Sequence, residues 1–180
     1  MTSTKISVIT ATFNALPWLR RAIDSMLAQT RAEWEMLICP DDGEDYRWMS
    51  EIDPRLRIVS TLDQHTGAGA ARNRGLAVAS GTCVAVLDDD DTLPPNFVDV
   101  ALRMAEQCEF FTVPTRYVTE NGETVRIVGA GHTELDITRF AGELGSLHAV
   151  GRRERYMQWR SCFAQDVLWT GQPFVDIFEP

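Results

Sequence analysis

The sequence predicts an α/β fold with a mostly parallel sheet flanked by helices, on three observations. Short β-rich runs alternate with amphipathic or alanine-rich helical stretches, the order that gives parallel pairing. One run, residues 82–87, is apolar on both faces, as strands covered by helices on each side are. Polar clusters follow three of the runs, at the carboxyl ends where such sheets bind ligands.

Residues 6–9 are the first strand, stopped by the turn signal Thr12-Phe13-Asn14. From Leu16, the apolar Leu19, Ile23, Met26 and Leu27 share one helical face, with Arg20 and Arg21 opposite. Residues 34–39 form a second strand, ended by Pro40-Asp41-Asp42-Gly43. Residues 56–59 are a third. Glycine-rich 66–69 opens an alanine-rich helix ending near Ala79, and residues 82–87 are the fourth strand.

Beyond Pro95 the pattern predicts a helix over 96–107, a β run over 110–113, and a hairpin over 116–128 turning at Asn121-Gly122. Residues 135–141 read as helix, 147–150 as strand, and an Arg- and Trp-rich segment runs to Trp169. With no repeat, linker or low-complexity tract, residues 1–180 read as one domain, its halves meeting near residue 97. The last residues, 176–180, do not read as a finished tail.

The formal charge of -9, from 17 basic against 26 acidic side chains, repels nucleic acid and anionic membrane surfaces. Lys5 is the only lysine, so a catalytic lysine has few candidates. Cys39, Cys83, Cys108 and Cys162 are widely spaced and form no CxxC pair, which suits buried free thiols in a reducing compartment. No leader pattern and no run of the ~20 apolar residues needed to cross a bilayer is present. The expectation is a cytoplasmic protein without a transmembrane segment; nothing in the sequence speaks to oligomeric state.

Asp88, Asp89, Asp90 and Asp91 follow the fourth strand directly. Like charges this close repel, and something must offset that. One reading is a solvated loop, with Asp91 or Thr92 capping the next helix. The other is that Asp88 and Asp90 present oxygens to Mg²⁺ or Mn²⁺ bridging the phosphates of a nucleotide, and the buried strand before them favours it. In so acidic a chain a diphosphate needs that cation, which also acts as a Lewis acid on a departing diphosphate.

Several ordered pieces carry a resemblance: Ser7-Val8-Ile9-Thr10-Ala11-Thr12-Phe13-Asn14, Ser25-Met26-Leu27-Ala28-Gln29-Thr30, Trp34-Glu35, Asp41-Asp42-Gly43, Gly69-Ala70-Ala71-Arg72-Asn73-Arg74-Gly75, Ala79-Ser80-Gly81 and Leu87-Asp88-Asp89-Asp90-Asp91. In order and spacing they resemble the family 2 inverting glycosyltransferases with the GT-A fold, a nucleotide-binding, Rossmann-like sheet. The resemblance covers about residues 5–97. It implies hexosyl transfer from a nucleotide-sugar donor, UDP-linked by default, to a saccharide or other hydroxyl acceptor, with Mn²⁺ or Mg²⁺ as cofactor.

By the same resemblance, Thr10, Thr12, Phe13 and Asn14 belong to the turn that holds base and ribose, although Ala11 replaces the usual proline. Asp41 corresponds to the base-contacting aspartate, with Asp42 as the shifted alternative because Pro40 stands where the first of two aspartates is common. Arg72 lies near the donor phosphates. Asp88 and Asp90 match the Asp-x-Asp metal motif, Asp89 is its spacer, and Asp88 and Asp89 are placed with the donor. Gln165-Asp166 resembles the position of the general base, which makes Asp166 the catalytic candidate.

Other readings remain. Thr12 and Asn14 suit a simple turn, Asp41 and Asp42 suit caps for the segment after Gly43, and Asp166 suits a helix start. Trp159 and Trp169 suit a sugar platform or a core. His132 and His148 suit a metal or an acceptor, though lone histidines more often serve neither. Residues 152–155 suit a phosphate-bearing acceptor or a solvated helix face. Gly67-Ala68-Gly69 lacks the third glycine of a dinucleotide loop, since Arg72 stands there. Asp88-x-Asp90-x-Thr92 also fits a haloacid-dehalogenase-like phosphatase, but that motif normally opens its domain. A nucleotidyltransferase would show a glycine-rich basic first loop. An inactive sugar-nucleotide-binding domain stays open as the non-enzymatic alternative.

Overall fold

The structure, a computed structural model, describes residues 4–107, 109–119, 121–128 and 149–152. Alternation along β1 (Ile6–Thr12) sets up two layers. Ile6 and Val8 enter one core with Leu19, Ile23 and Met26 of α1 (Leu16–Leu27) and Val98 and Leu102 of α3 (Phe97–Gln107). Ile9 enters a second core with Ala71 and Leu76 of α2 (Ala68–Val78). The sheet is therefore covered by helices on both faces, as its continuous apolar strands predict.

Four strands, β3 (Leu56–Ile58), β2 (Trp34–Pro40), β1 and β4 (Cys83–Val86), lie side by side and parallel. Beyond β4 come β8 (Ala149–Arg152), antiparallel to it, and then β5 (Phe110–Thr112) at the edge. The strand expected at 147–150 is thus observed at Ala149–Arg152.

Small residues on α2 bring it close to the sheet. A Cβ at Gly75 would lie 2.7 Å from Cys39 Sγ and from Ile9 Cγ2. Cys39 and Cys83 are buried free thiols, and burial pushes the Cys39 thiol up to about 12.

The amino end of the sheet is pinned by Glu35, which is 1% exposed. Its Oε1 accepts from the Ser7 hydroxyl at 2.7 Å and from the Ser80 amide and hydroxyl at 2.7 and 2.8 Å. Its Oε2 meets Arg57 at 2.8 Å and Lys5 at 3.2 Å. The single lysine is thereby committed to structure, far from the strands' carboxyl ends.

A separate hairpin pairs β6 (Thr115–Val118) with β7 (Thr124–Val128). It differs from the two-residue turn expected at Asn121-Gly122. The Thr119 carbonyl accepts from the Gly122 amide at 2.9 Å, and Gly122 takes a φ of 82°. The turn therefore begins at Thr119, and glycine fills the left-handed position that closes a longer connection. Among the described residues, no helix is long and apolar enough to cross a membrane.

Candidate functional site

Because β1, β2 and β4 are parallel, the turns after them emerge on the same side, and side chains tie them together. The Asp41 amide donates to the Thr12 carbonyl at 3.0 Å, and the Asn14 amide donates to Asp42 Oδ2 at 2.7 Å. Asn14 adopts a φ of 54°, a left-handed conformation that asparagine tolerates and that aims its amide at Asp42. Across the sheet, Arg72 of α2 reaches Asp88 Oδ1 at 2.6 Å.

The two aspartates after β2 do different work. Asp41 is 4% exposed and accepts from the Thr66 hydroxyl at 2.6 Å, the Gly67 amide at 2.7 Å and Arg74 at 3.0 Å. From a neighbouring strand it holds the entry to α2 through the amide of Gly67, the residue before that helix. Asp42 is more open, and it accepts from the Tyr46 hydroxyl at 2.7 Å and the Glu44 amide at 3.0 Å besides Asn14. Burial opposes the ionisation of both, but these donors outweigh it and hold both carboxyls below the usual range.

Thr10 is fully buried, on the α1 side of the sheet by the alternation of β1. Thr12 is 2% exposed. Among the described residues, Thr10 Oγ1, Thr12 Oγ1, Arg72 Nε and Arg74 Nε at this end are buried without a hydrogen-bond partner, a rare and costly condition in a folded protein. Phe13 is 47% exposed and meets the edge of His65, ring centroids 5.3 Å apart. His65 itself has a φ of 58°, and its amide donates to the Asp41 carbonyl at 2.8 Å.

The acidic run folds into a turn in which the Asp91 amide donates to the Asp88 carbonyl at 3.2 Å. Asp88 and Asp89 are partly buried and Asp90 is exposed. Burial, with the charges of Asp90 and Asp88, keeps the Asp89 carboxyl above the usual range. The Thr12 hydroxyl and Phe13 amide oppose that rise, although the hydroxyl completes no well-formed hydrogen bond. Asp91 lies well before α3, which begins at Phe97, so it does not cap that helix. Two open depressions of about 270 Å³ each border the segment after β2. One is lined by Asn14, Leu16, Tyr46 and Trp48, the other by Pro40, Gly43, Thr61 and Gln64.

Among the described residues no three His, Cys, Asp or Glu side chains cluster as a self-sufficient metal cage. A Mg²⁺- or Mn²⁺-type cation needs no such cage, because it is held by one or two carboxylates and takes the rest of its oxygen shell from substrate phosphates and water.

The model of the family described as glycosyl transferase family 2 matches residues 7–161. The chain belongs to that family. Among its relatives is the uncharacterized glycosyltransferase YwdF of Bacillus subtilis, 29% identical over 150 residues, covering 83% of this chain and 48% of YwdF. S. aureus TarS (residues 1–349) superposes with a TM-score of 0.74 at 19% identity, over 95% of this chain and 53% of that one. TarS is also known in complex with UDP and with UDP-GlcNAc. The mannosyltransferase PcManGT of Pyrobaculum calidifontis, in complex with GDP-Man and Mn²⁺, gives 0.65 at 17% identity, over 98% and 52%. The fold is thus GT-A, as the motifs imply. The chain spans about half the length of these three proteins.

In this member of glycosyl transferase family 2, Phe13, Asn14, Asp42, Arg72 and the acidic turn come together at one edge, and Thr10 and Asp41 are buried. Asp166, His132, His148, Trp159, Trp169 and the helix expected at 135–141 lie outside the described residues, as do residues 153–155 and the side chain of Arg152. Sequence reasoning missed Arg74 and His65. Arg74 shares the Ala-Arg-Asn-Arg segment with Arg72, and His65 immediately precedes Thr66-Gly67; both signals were present but not decisive alone.

Proposed function

We propose that this protein transfers a hexosyl unit, with inversion, from a nucleoside-diphosphate donor to the hydroxyl of a saccharide or other acceptor. The observation that carries the reading is the Arg72–Asp88 pair, which places a cation and a carboxylate at the end of β4 beside Phe13, Asn14 and Asp42. A UDP-sugar is the favoured donor, supported by the UDP and UDP-GlcNAc complexes of TarS. About residues 1–97 form the donor half.

Phe13 offers an exposed ring for the base, and Asn14 and Asp42 line the adjoining turn. The Arg72 guanidinium, 15% exposed, exchanges Asp88 for a donor phosphate oxygen, one anionic acceptor for another. Asp88 and Asp90 hold the divalent cation, Mn²⁺ or Mg²⁺, which when bound stabilises the diphosphate leaving group. Asp166 takes the acceptor proton as the acceptor oxygen attacks the anomeric carbon and the bond to diphosphate breaks.

Calorimetry with UDP, GDP and their sugar conjugates, with and without Mn²⁺, tests the site. Tight binding that requires both metal and diphosphate supports it; indifference to every combination rejects it. Asp166→Asn should keep donor binding and abolish transfer. Transfer at the unchanged rate in that variant removes Asp166 from the mechanism, and donor binding without transfer by the unmodified protein leaves the binding-domain alternative.

A further inference from the structure

The motif Ser25-Met26-Leu27-Ala28-Gln29-Thr30 lies at the end of α1. Its polar groups reach across to the segment joining the acidic turn to α3. Ser25 Oγ accepts from the Leu93 amide at 3.1 Å while donating to the Ala22 carbonyl at 2.7 Å. Gln29 Nε2 donates to the Pro94 carbonyl at 2.8 Å and to the Ser25 carbonyl at 3.1 Å, and Gln29 Oε1 accepts from the Val98 amide at 2.9 Å. The Thr30 amide donates to the Pro95 carbonyl at 2.8 Å. Gln29 thereby satisfies a first-turn amide of α3, the task expected of Asp91, and leaves that carboxylate unneeded as a cap.

The consequence falls on the acidic turn. On one side the Leu87 amide is fixed to the Ile9 carbonyl at 3.0 Å; on the other the Leu93 amide is fixed to Ser25. Residues 88–92 span two pinned points, and Asp90, three residues from Leu93, stays within about 10 Å of that anchor even when fully extended. Pro94 and Pro95, with φ fixed by their rings, keep the downstream link stiff.

We propose that Gln29, assisted by Ser25, is a positioning residue for the cation and diphosphate site: it holds the turn bearing Asp88 and Asp90 in register without touching either ligand. The inference rests on the donor-site reading above. Its test compares Gln29→Met, which keeps length and loses every hydrogen bond, with Ser7→Ala, which lowers stability at the opposite end of the sheet. Two readouts are taken on the full chain: Mn²⁺ affinity in the presence of UDP, by electron paramagnetic resonance, and amide exchange over residues 88–98.

Gln29→Met should weaken Mn²⁺ binding by about tenfold, the usual scale for a residue that orients a metal ligand. It should also speed exchange over 88–98, while Ser7→Ala leaves both unchanged as its melting temperature falls. Equal effects of the two variants on Mn²⁺ affinity, or unchanged exchange over 88–98 in Gln29→Met, overturn the proposal. Should the unmodified protein bind no Mn²⁺ with UDP, the donor-site reading fails and takes the proposed role with it. Faster exchange in Gln29→Met would then leave only a structural clasp.

Discussion

At the scale of single residues, the site depends on which charges are free to change partner. Arg72 has one carboxylate partner and walls that shelter it, whereas Arg74 spends its guanidinium on Asp41, Thr66 and the Pro40 carbonyl. Arg72→Ala should therefore cost about 2 kcal/mol of UDP affinity, roughly thirtyfold in Kd by calorimetry. Arg74→Ala should instead lower the melting temperature, because it strips a buried carboxylate of its cation. Glu35 gives a pH-dependent counterpart. Burial opposes its ionisation, yet Ser7, the Ser80 amide and hydroxyl, and Arg57 bring its carboxyl down from 4.5 to about 2. A folded-state value below the unfolded one means this stability is complete above the unfolded value and is lost as the pH falls toward 2. The gap is worth about 3 kcal/mol. Urea titrations of the unchanged protein and of Glu35→Gln should differ most at neutral pH and converge as the pH approaches 2.

At the scale of elements, α2 shows how small side chains set a distance. Gly75→Ala pushes a methyl group against Cys39 Sγ and Ile9 Cγ2, atoms of buried side chains with little room to yield. Overpacking of this kind costs about 1–3 kcal/mol, which thermal unfolding would register as a lower midpoint. Because α2 carries Arg72, the same variant should weaken UDP binding as well. Elements of this kind were legible in the sequence where periodicity and packing agreed, as in α1 with Leu19, Ile23 and Met26. The hairpin was legible as a hairpin but not in its turn, because Asn121-Gly122 suits two turn lengths and the pairing of Val118 with Thr124 chooses between them.

At the scale of the whole molecule, folding and ligand binding are linked. A ligand that binds only the folded state at a hundred times its Kd stabilises by about 2.7 kcal/mol. UDP with Mn²⁺ should raise the melting temperature together, and EDTA should return it to the value with UDP alone; a rise with UDP that EDTA leaves intact would separate the nucleotide from the metal. The sequence by itself determined the layers, the parallel strands and the edge where the polar turns gather. Alternation, helical spacing and turn residues are local properties, and parallel order follows from their sequence. What only the tertiary structure decided is how the polar residues at that edge divide their work. Thr10 is buried by the phase of β1, Asp41 is hydrogen-bonded by Arg74 and Thr66, and a first-turn amide of α3 is held by Gln29. The aspartate run, once folded, is a partner for Arg72 in Asp88, a half-buried Asp89 and an exposed Asp90. Hydrogen-bond partners some 30 to 70 residues apart in the chain (Asp41 with Arg74, Gln29 with Val98) leave no local mark that a sequence can carry.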